Sequence, residues 1–136
     1  MDMQHTSYGM RMEVPLSYDQ AVEKARDELA KEGFGVLTEI DVKATMKKKL
    51  DVDFRPYIIL GACNPPLAHQ ALSAESDIGL LLPCNVIVYA TDDPAQCVVA
   101  AIDPVAQLEI SGNRDIGPVA EQVKQRLQRV LEGVAG

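Results

Sequence analysis

Two Cys-Asn pairs are the side chains in this sequence most suited to chemistry. Cys63-Asn64 follows one apolar segment, and Cys84-Asn85 begins another. Thiolates bind soft metals such as zinc, copper(I) or iron, and a cysteine with a lowered pKa is a nucleophile. No Cys-x-x-Cys pair is present, whereas zinc sites usually have such closely spaced ligands. Because cysteine also packs as a small buried hydrophobe, structural packing remains the alternative to a ligand, metal or redox role.

The first elements of the chain carry clear sequence signals. Residues 8–14 alternate apolar and polar side chains, which predicts a strand. Ser17 and Gln20 form a capping box that begins a helix. Tyr18, Val22, Ala25 and Leu29 share one face of that helix. Gly33 is predicted to end it in a left-handed conformation.

Four further strands are predicted at residues 35–42, 57–63, 84–90 and 96–102. A short helix at 43–50 is expected to face Met46 and Leu50 inward. Asn64 and Pro65 predict a helix start, with Asn64 as the cap and Pro65 in the first turn. A closing helix is predicted from about Arg114 to Glu132, with Gly133 ending it.

This order predicts an α+β fold with a five-stranded antiparallel sheet packed on two main helices. The element order is β-α-β-β-β-β-α, with short helices inserted between strands. A ferredoxin-like arrangement would need a major helix before the last strand, so helices on one face of the sheet are favoured. No linker or repeat divides residues 1–136, and a single domain is expected.

Antiparallel alternation gathers the candidate residues at one edge of the predicted sheet. One strand ends at this edge, and its neighbour begins there. The short helix after Pro65 leaves the same edge. The candidate ligand-binding set is Cys63, Asn64, His69, Cys84, Asn85 and Asp103.

The charge balance restricts the partners. The chain has a formal net charge of −7 and a pI of about 4.7. Nucleic-acid binding requires a basic face, so it is not expected. No apolar run approaches the ~20 residues of a membrane span, so no membrane partner is expected. Three cysteines without an export signal indicate free thiols and a cytoplasmic location.

Four segments resemble the domain of unknown function 302 family. They are Glu32-Gly33-Phe34-Gly35-Val36, Asp53-Phe54-Arg55-Pro56-Tyr57, Leu60-Gly61-Ala62-Cys63-Asn64-Pro65, and Gly79-Leu80-Leu81-Leu82-Pro83-Cys84-Asn85-Val86. The resemblance implies a curved antiparallel sheet of the TATA-binding-protein type with helices on one side, and commonly a homodimer. It implies no established activity, and a shared fold does not carry over DNA binding.

Three functional hypotheses follow. The favoured one is a homodimeric module that binds a small molecule or thiol ligand. Its curved sheet and long closing helix enclose a mostly apolar pocket, and the Cys/Asn/His edge supplies a few polar contacts. The second is a metal- or thiol-dependent redox protein that uses the same residues. The third is a non-catalytic interaction protein whose function lies in its dimer surface. The sequence leaves any catalytic residue, cofactor and ligand unknown.

Overall fold

The computed structural model describes residues 2–136 and shows an α+β fold with an open antiparallel sheet packed against helices. The strands are β1 (Gln4–His5), β2 (Gly9–Val14), β3 (Gly35–Asp41), β4 (Tyr57–Cys63), β5 (Cys84–Ala90) and β6 (Cys97–Ile102). The α-helices are α1 (Tyr18–Lys31), α2 (Val42–Leu50), α3 (Pro65–Ala74), α4 (Pro104–Glu109) and α5 (Gly117–Ala135). Two 3-10 helices, Ser76–Leu81 and Arg114–Ile116, precede β5 and α5.

The sheet has six strands, in the order β1-β2-β6-β5-β4-β3, so the prediction of five was wrong. The additional strand, β1, pairs Gln4 with Arg11 and His5 with Met10. The Thr6 side chain stabilises the connecting turn by accepting a 3.0 Å hydrogen bond from the backbone N–H of Gly9. A two-residue strand is too short to show alternation, and this explains why the pattern missed it.

The start and end of α1 confirm the sequence prediction. The Ser17 side chain accepts a hydrogen bond from the backbone N–H of Gln20, and the Gln20 side chain accepts one from Ser17. Two otherwise unpaired donors are thereby satisfied at the helix start. Gly33 has a φ of 83°, which glycine adopts without the steric cost of a Cβ.

Several other boundaries and orientations differ from the predictions. No residue of α2 is buried, and Leu50 is 66% exposed, so its expected inward orientation was wrong. The helix α4 was not predicted at all. The helix α5 continues past Gly133 to Ala135. A Cβ at Gly133 would lie 2.3 Å from Oε2 of Glu28, so this glycine provides space for α1 instead of ending α5.

The core lies between one face of the sheet and the helices α1 and α5. Alternate residues of β2, Met10, Met12 and Val14, are buried in it. Val86 and Val88 of β5 extend the same buried face. Since successive residues of a strand point to opposite faces, the intervening side chains lie on the face away from these helices. The helices within residues 2–136 all lack the combination of length and apolar composition that a membrane-spanning helix requires.

Candidate functional site

An apolar cavity of about 340 Å³ lies between α3, the sheet edge and α5. Its wall includes two thiols, Cys63 and Cys84, but no acidic, basic or histidine side chain. Representative apolar residues of the wall are Phe34, Leu67, Ala71, Leu82, Leu108 and Val123. Leu37 and Leu72 also line the cavity and are 69% and 41% exposed, so the cavity opens to solvent on their side.

Strand pairing explains how the two cysteines reach this cavity. The strand β4 ends at Cys63, which pairs with Gly35 at the start of β3. On the other side of β4, Ala62 pairs with Cys84 at the start of β5. Because neighbouring strands are antiparallel, the end of β4 and the starts of β3 and β5 lie at the same edge of the sheet. The helix α3 begins two residues after Cys63 and covers that edge.

Burial determines the chemistry of Cys84. The residue is 7% exposed, and its Sγ lies 3.9 Å from Oε1 of Gln107. Desolvation raises the pKa of the Cys84 thiol from 9.0 to about 11, and the neighbouring Cys63 adds to this increase. A charged thiolate is disfavoured in an apolar environment. The thiol of Cys84 is therefore protonated at neutral pH and is a poor nucleophile.

Asn64 is buried and connects α3 to α1, and its predicted role as a side-chain cap was wrong. Its Nδ2 donates a 3.2 Å hydrogen bond to the backbone carbonyl of Glu32, which follows α1. Arg126 of α5 donates to the same carbonyl at 3.1 Å. Arg129 pairs with the Glu32 carboxylate at 2.8 Å. Asn64 thus lines the cavity while its amide ties α3 to α1, and Arg126 ties α5 to the same carbonyl.

Of the six candidate residues, the structure brings Cys63, Asn64 and Cys84 to this cavity. His69 lies exposed on α3 and does not line it. Asn85 lies on the face of the sheet away from α1 and α5 and lines a different cavity.

Asp103 has a structural role at the start of α4. Its Oδ1 accepts a 2.9 Å hydrogen bond from the backbone N–H of Val105, and its carboxylate pairs with Lys124 at 3.0 Å. Asp103 therefore caps α4 and connects it to α5. Within residues 2–136, no group of three or more His, Cys, Asp or Glu side chains is arranged to hold a metal ion.

A mostly apolar pocket between the sheet and the closing helix was predicted, but the individual residues of its wall were not assigned from the sequence. Leu108 belongs to the unpredicted helix α4, and Leu82 follows the unpredicted 3-10 helix. Val119 and Val123 belong to the predicted apolar stripe of the closing helix. Because the same stripe also packs into the core, it does not distinguish cavity residues from core residues. Two further signals were the apolar run before Cys84, which covers residues 78–83, and the apolar side of the helix after Pro65, which carries Leu67, Ala68, Ala71 and Leu72.

The fold and the cavity define an α+β protein with an open antiparallel sheet packed against helices. The family model described as "Domain of unknown function DUF302" matches residues 10–134, so the chain belongs to this family. The chain is also similar to an uncharacterised conserved DUF302 protein from Bacillus stearothermophilus, whose crystal structure is known. The two share 25% sequence identity and a TM-score of 0.86, over 94% of this chain and 98% of that one. No curated protein matches the chain.

Proposed function

We propose that this protein is a small-molecule-binding module whose ligand is uncharged and mainly apolar. The observation that carries the proposal is the apolar cavity of about 340 Å³ beside Cys63 and Cys84. Ligand sites are typically concavities of about 300–1,000 Å³, lined by apolar side chains with a few polar groups. A charged ligand would lose its hydration without gaining a partner in this wall.

The polar groups of the cavity indicate how such a ligand is oriented. The Nδ2 of Asn64 already donates to Glu32, so the polar character that remains for a ligand comes from the rest of the Asn64 amide and from the two cysteines of the wall. Protonated thiols are weak donors and soft, polarisable surfaces. The raised pKa of Cys84 favours this binding role over the redox alternative, which needs a thiolate.

The proposal includes a homodimer that uses the β3 edge of the sheet. Among residues 2–136, β3 is the last strand of the sheet, and exposed backbone edges favour pairing with another chain. Apolar side chains are exposed at this edge and in the segment that follows, namely Leu37, Ile40, Leu50, Val52 and Phe54. Because Leu37 also lines the open side of the cavity, a partner at β3 would help to close it.

We place this module in the cytoplasm, with neither nucleic acid nor membrane as a partner. Cys63, Cys84 and Cys97 are all free thiols in the structure, which supports a reducing compartment. The net charge of −7 opposes association with a phosphate backbone.

Native mass spectrometry of protein purified without chelator or reductant tests the proposal. We expect a dimer that carries additional mass from a co-purified small molecule. The variant Ala68→Leu places a larger side chain in the cavity wall and should lose that mass. Ala74→Leu is the matched control, since Ala74 lies on the same helix, is exposed and does not line the cavity. Equal retention of the extra mass by both variants would contradict a ligand in this cavity.

A further inference from the structure

A second cavity, of about 320 Å³, lies on the face of the sheet away from α1 and α5. It is formed by β2, β5, β6 and the turn between β1 and β2. Its position follows from alternation: Met10 and Val86 point into the core, so their neighbours Arg11 and Asn85 point to the opposite face. This cavity shares no lining residue with the apolar cavity beside Cys84.

The guanidinium of Arg11 lies in this cavity. Neutral side chains hold it in place, so its positive charge is not neutralised. One terminal nitrogen, Nη1, donates to Oε1 of Gln4, and the other, Nη2, lies 3.4 Å from the hydroxyl oxygen of Tyr89. Both partners are neutral. Among residues 2–136, no carboxylate forms an ion pair with Arg11. An arginine has five N–H donors, so others remain for a ligand.

The rest of the cavity combines a polar amide with an apolar floor. The Asn85 side chain is exposed and lines the cavity. Ile87 and Ala100 lie side by side on neighbouring strands, and Ala100 is also paired with Arg11. Tyr8, which is 70% exposed, stands at the rim. A guanidinium and an amide beside an apolar floor match a ligand with one anionic group and an apolar body.

We propose that this second cavity binds small carboxylic acids with an apolar or aromatic body. The carboxylate accepts hydrogen bonds from the guanidinium of Arg11, and the body packs on Ile87 and Ala100 in the direction of Asn85. A monoanion fits better than a phosphate dianion, because one guanidinium must offset the repulsion of a chain with net charge −7. Glu13, two residues along the same face of β2, further opposes a second negative charge.

Chemical-shift titration with benzoate tests this site, with benzamide as the uncharged ligand of similar shape. We expect saturable shifts for the backbone amides of Asn85, Ile87 and Ala100 with benzoate. Binding of benzamide should be at least about tenfold weaker, because it lacks the charge-assisted hydrogen bonds to Arg11. The variant Arg11→Gln should lose at least about tenfold in benzoate affinity.

The control for charge is Arg55→Gln, which should bind benzoate like the wild type. Arg55 is exposed, also lacks a carboxylate partner among residues 2–136, and donates instead to the carbonyl of Ala90. Arg11→Lys retains the charge and loses the planar fork, so intermediate affinity is expected even if Arg11→Gln folds poorly. The proposal is overturned if benzoate gives no saturable shifts, if benzamide binds equally well, or if only residues around the apolar cavity respond. Self-association that buries this face and blocks benzoate would overturn it as well.

Discussion

Burial controls the chemistry of the cysteine thiols in this protein. Cys84 and Cys97 are 7% and 0% exposed, and desolvation raises the pKa of each thiol from 9.0 to about 11. Cys63, in contrast, is only partly buried at the end of β4. Since the thiolate is the reactive species, the two buried cysteines are suited to packing and ligand contact.

Alkylation rates should report this difference. In the wild-type protein, peptide mapping separates the labelling of Cys84 and Cys97 from that of Cys63, which itself contributes to the raised pKa of Cys84. A pKa increase of about two units lowers the thiolate fraction at neutral pH about a hundredfold relative to an unperturbed cysteine. Peptide mapping after iodoacetamide treatment should show slow labelling whose rate keeps rising with pH up to about 11 for Cys84. A labelling rate for Cys84 that levels off below pH 9 would contradict a desolvated thiol.

Sequence alternation placed Cys63 and Cys84 near the same sheet edge, but it did not resolve the two faces of the sheet. Cys84 and Asn85 are neighbours in one strand, so they point in opposite directions. His69 is exposed because Leu67 and Ala71 occupy the buried side of α3. Asp103 is required as the cap of α4, a helix too short to show clear periodicity. These assignments depend on tertiary packing, which single-sequence patterns do not contain.

At the scale of elements, the pairing of β3 with β4 depends on a close contact at Gly61. The register shifts between Val36 and Thr38, and Thr38 then pairs with Gly61. A Cβ on Gly61 would lie 2.0 Å from Oγ1 of Thr38 and 3.0 Å from Cγ of Pro83. This close approach gives a physical reason for glycine in the segment Leu60-Gly61-Ala62-Cys63.

A double-mutant cycle tests this packing. Gly61→Ala should lower the free energy of unfolding by about 1–3 kcal/mol, the usual cost of forcing additional atoms into a packed site. Thr38→Ala removes the nearest clashing atom, so Gly61→Ala should cost less in the Thr38→Ala background. Urea unfolding of the four proteins provides the comparison. If Gly61→Ala lowers the free energy of unfolding equally in the two backgrounds, Thr38 is not the residue that the added methyl group displaces.

The sequence predicted the elements that carry their own local signals. The capping box and Gly33 define α1, and the apolar segment 57–63 matches β4 residue for residue. The short elements β1 and α4 were missed, because hairpin pairing and contact with α5 stabilise them more than local patterns do. The extension of α5 through Gly133 likewise depends on α1, which packs against it.

At the scale of the whole molecule, the two faces of the sheet offer different chemistry. The face toward α1 and α5 carries the core and borders the apolar cavity with its protonated thiol. The opposite face carries Arg11 and Asn85 beside an apolar floor. The two cavities therefore favour ligands of different charge, and a neutral apolar probe separates them.

The most direct test of the apolar ligand site is a chemical-shift titration with 1-hexanol, compared with hexanoate. A gain of about 0.8 kcal/mol per buried methylene predicts a dissociation constant in roughly the millimolar range for a six-carbon chain. The amides of Cys63, Leu67 and Cys84 should shift and saturate with 1-hexanol. They should respond far less to hexanoate, because the wall offers no cation. Ala68→Leu should abolish the response to 1-hexanol, and Ala74→Leu should preserve it. Equal shifts of these amides with hexanoate, or no saturable shifts with 1-hexanol, would contradict an apolar ligand site.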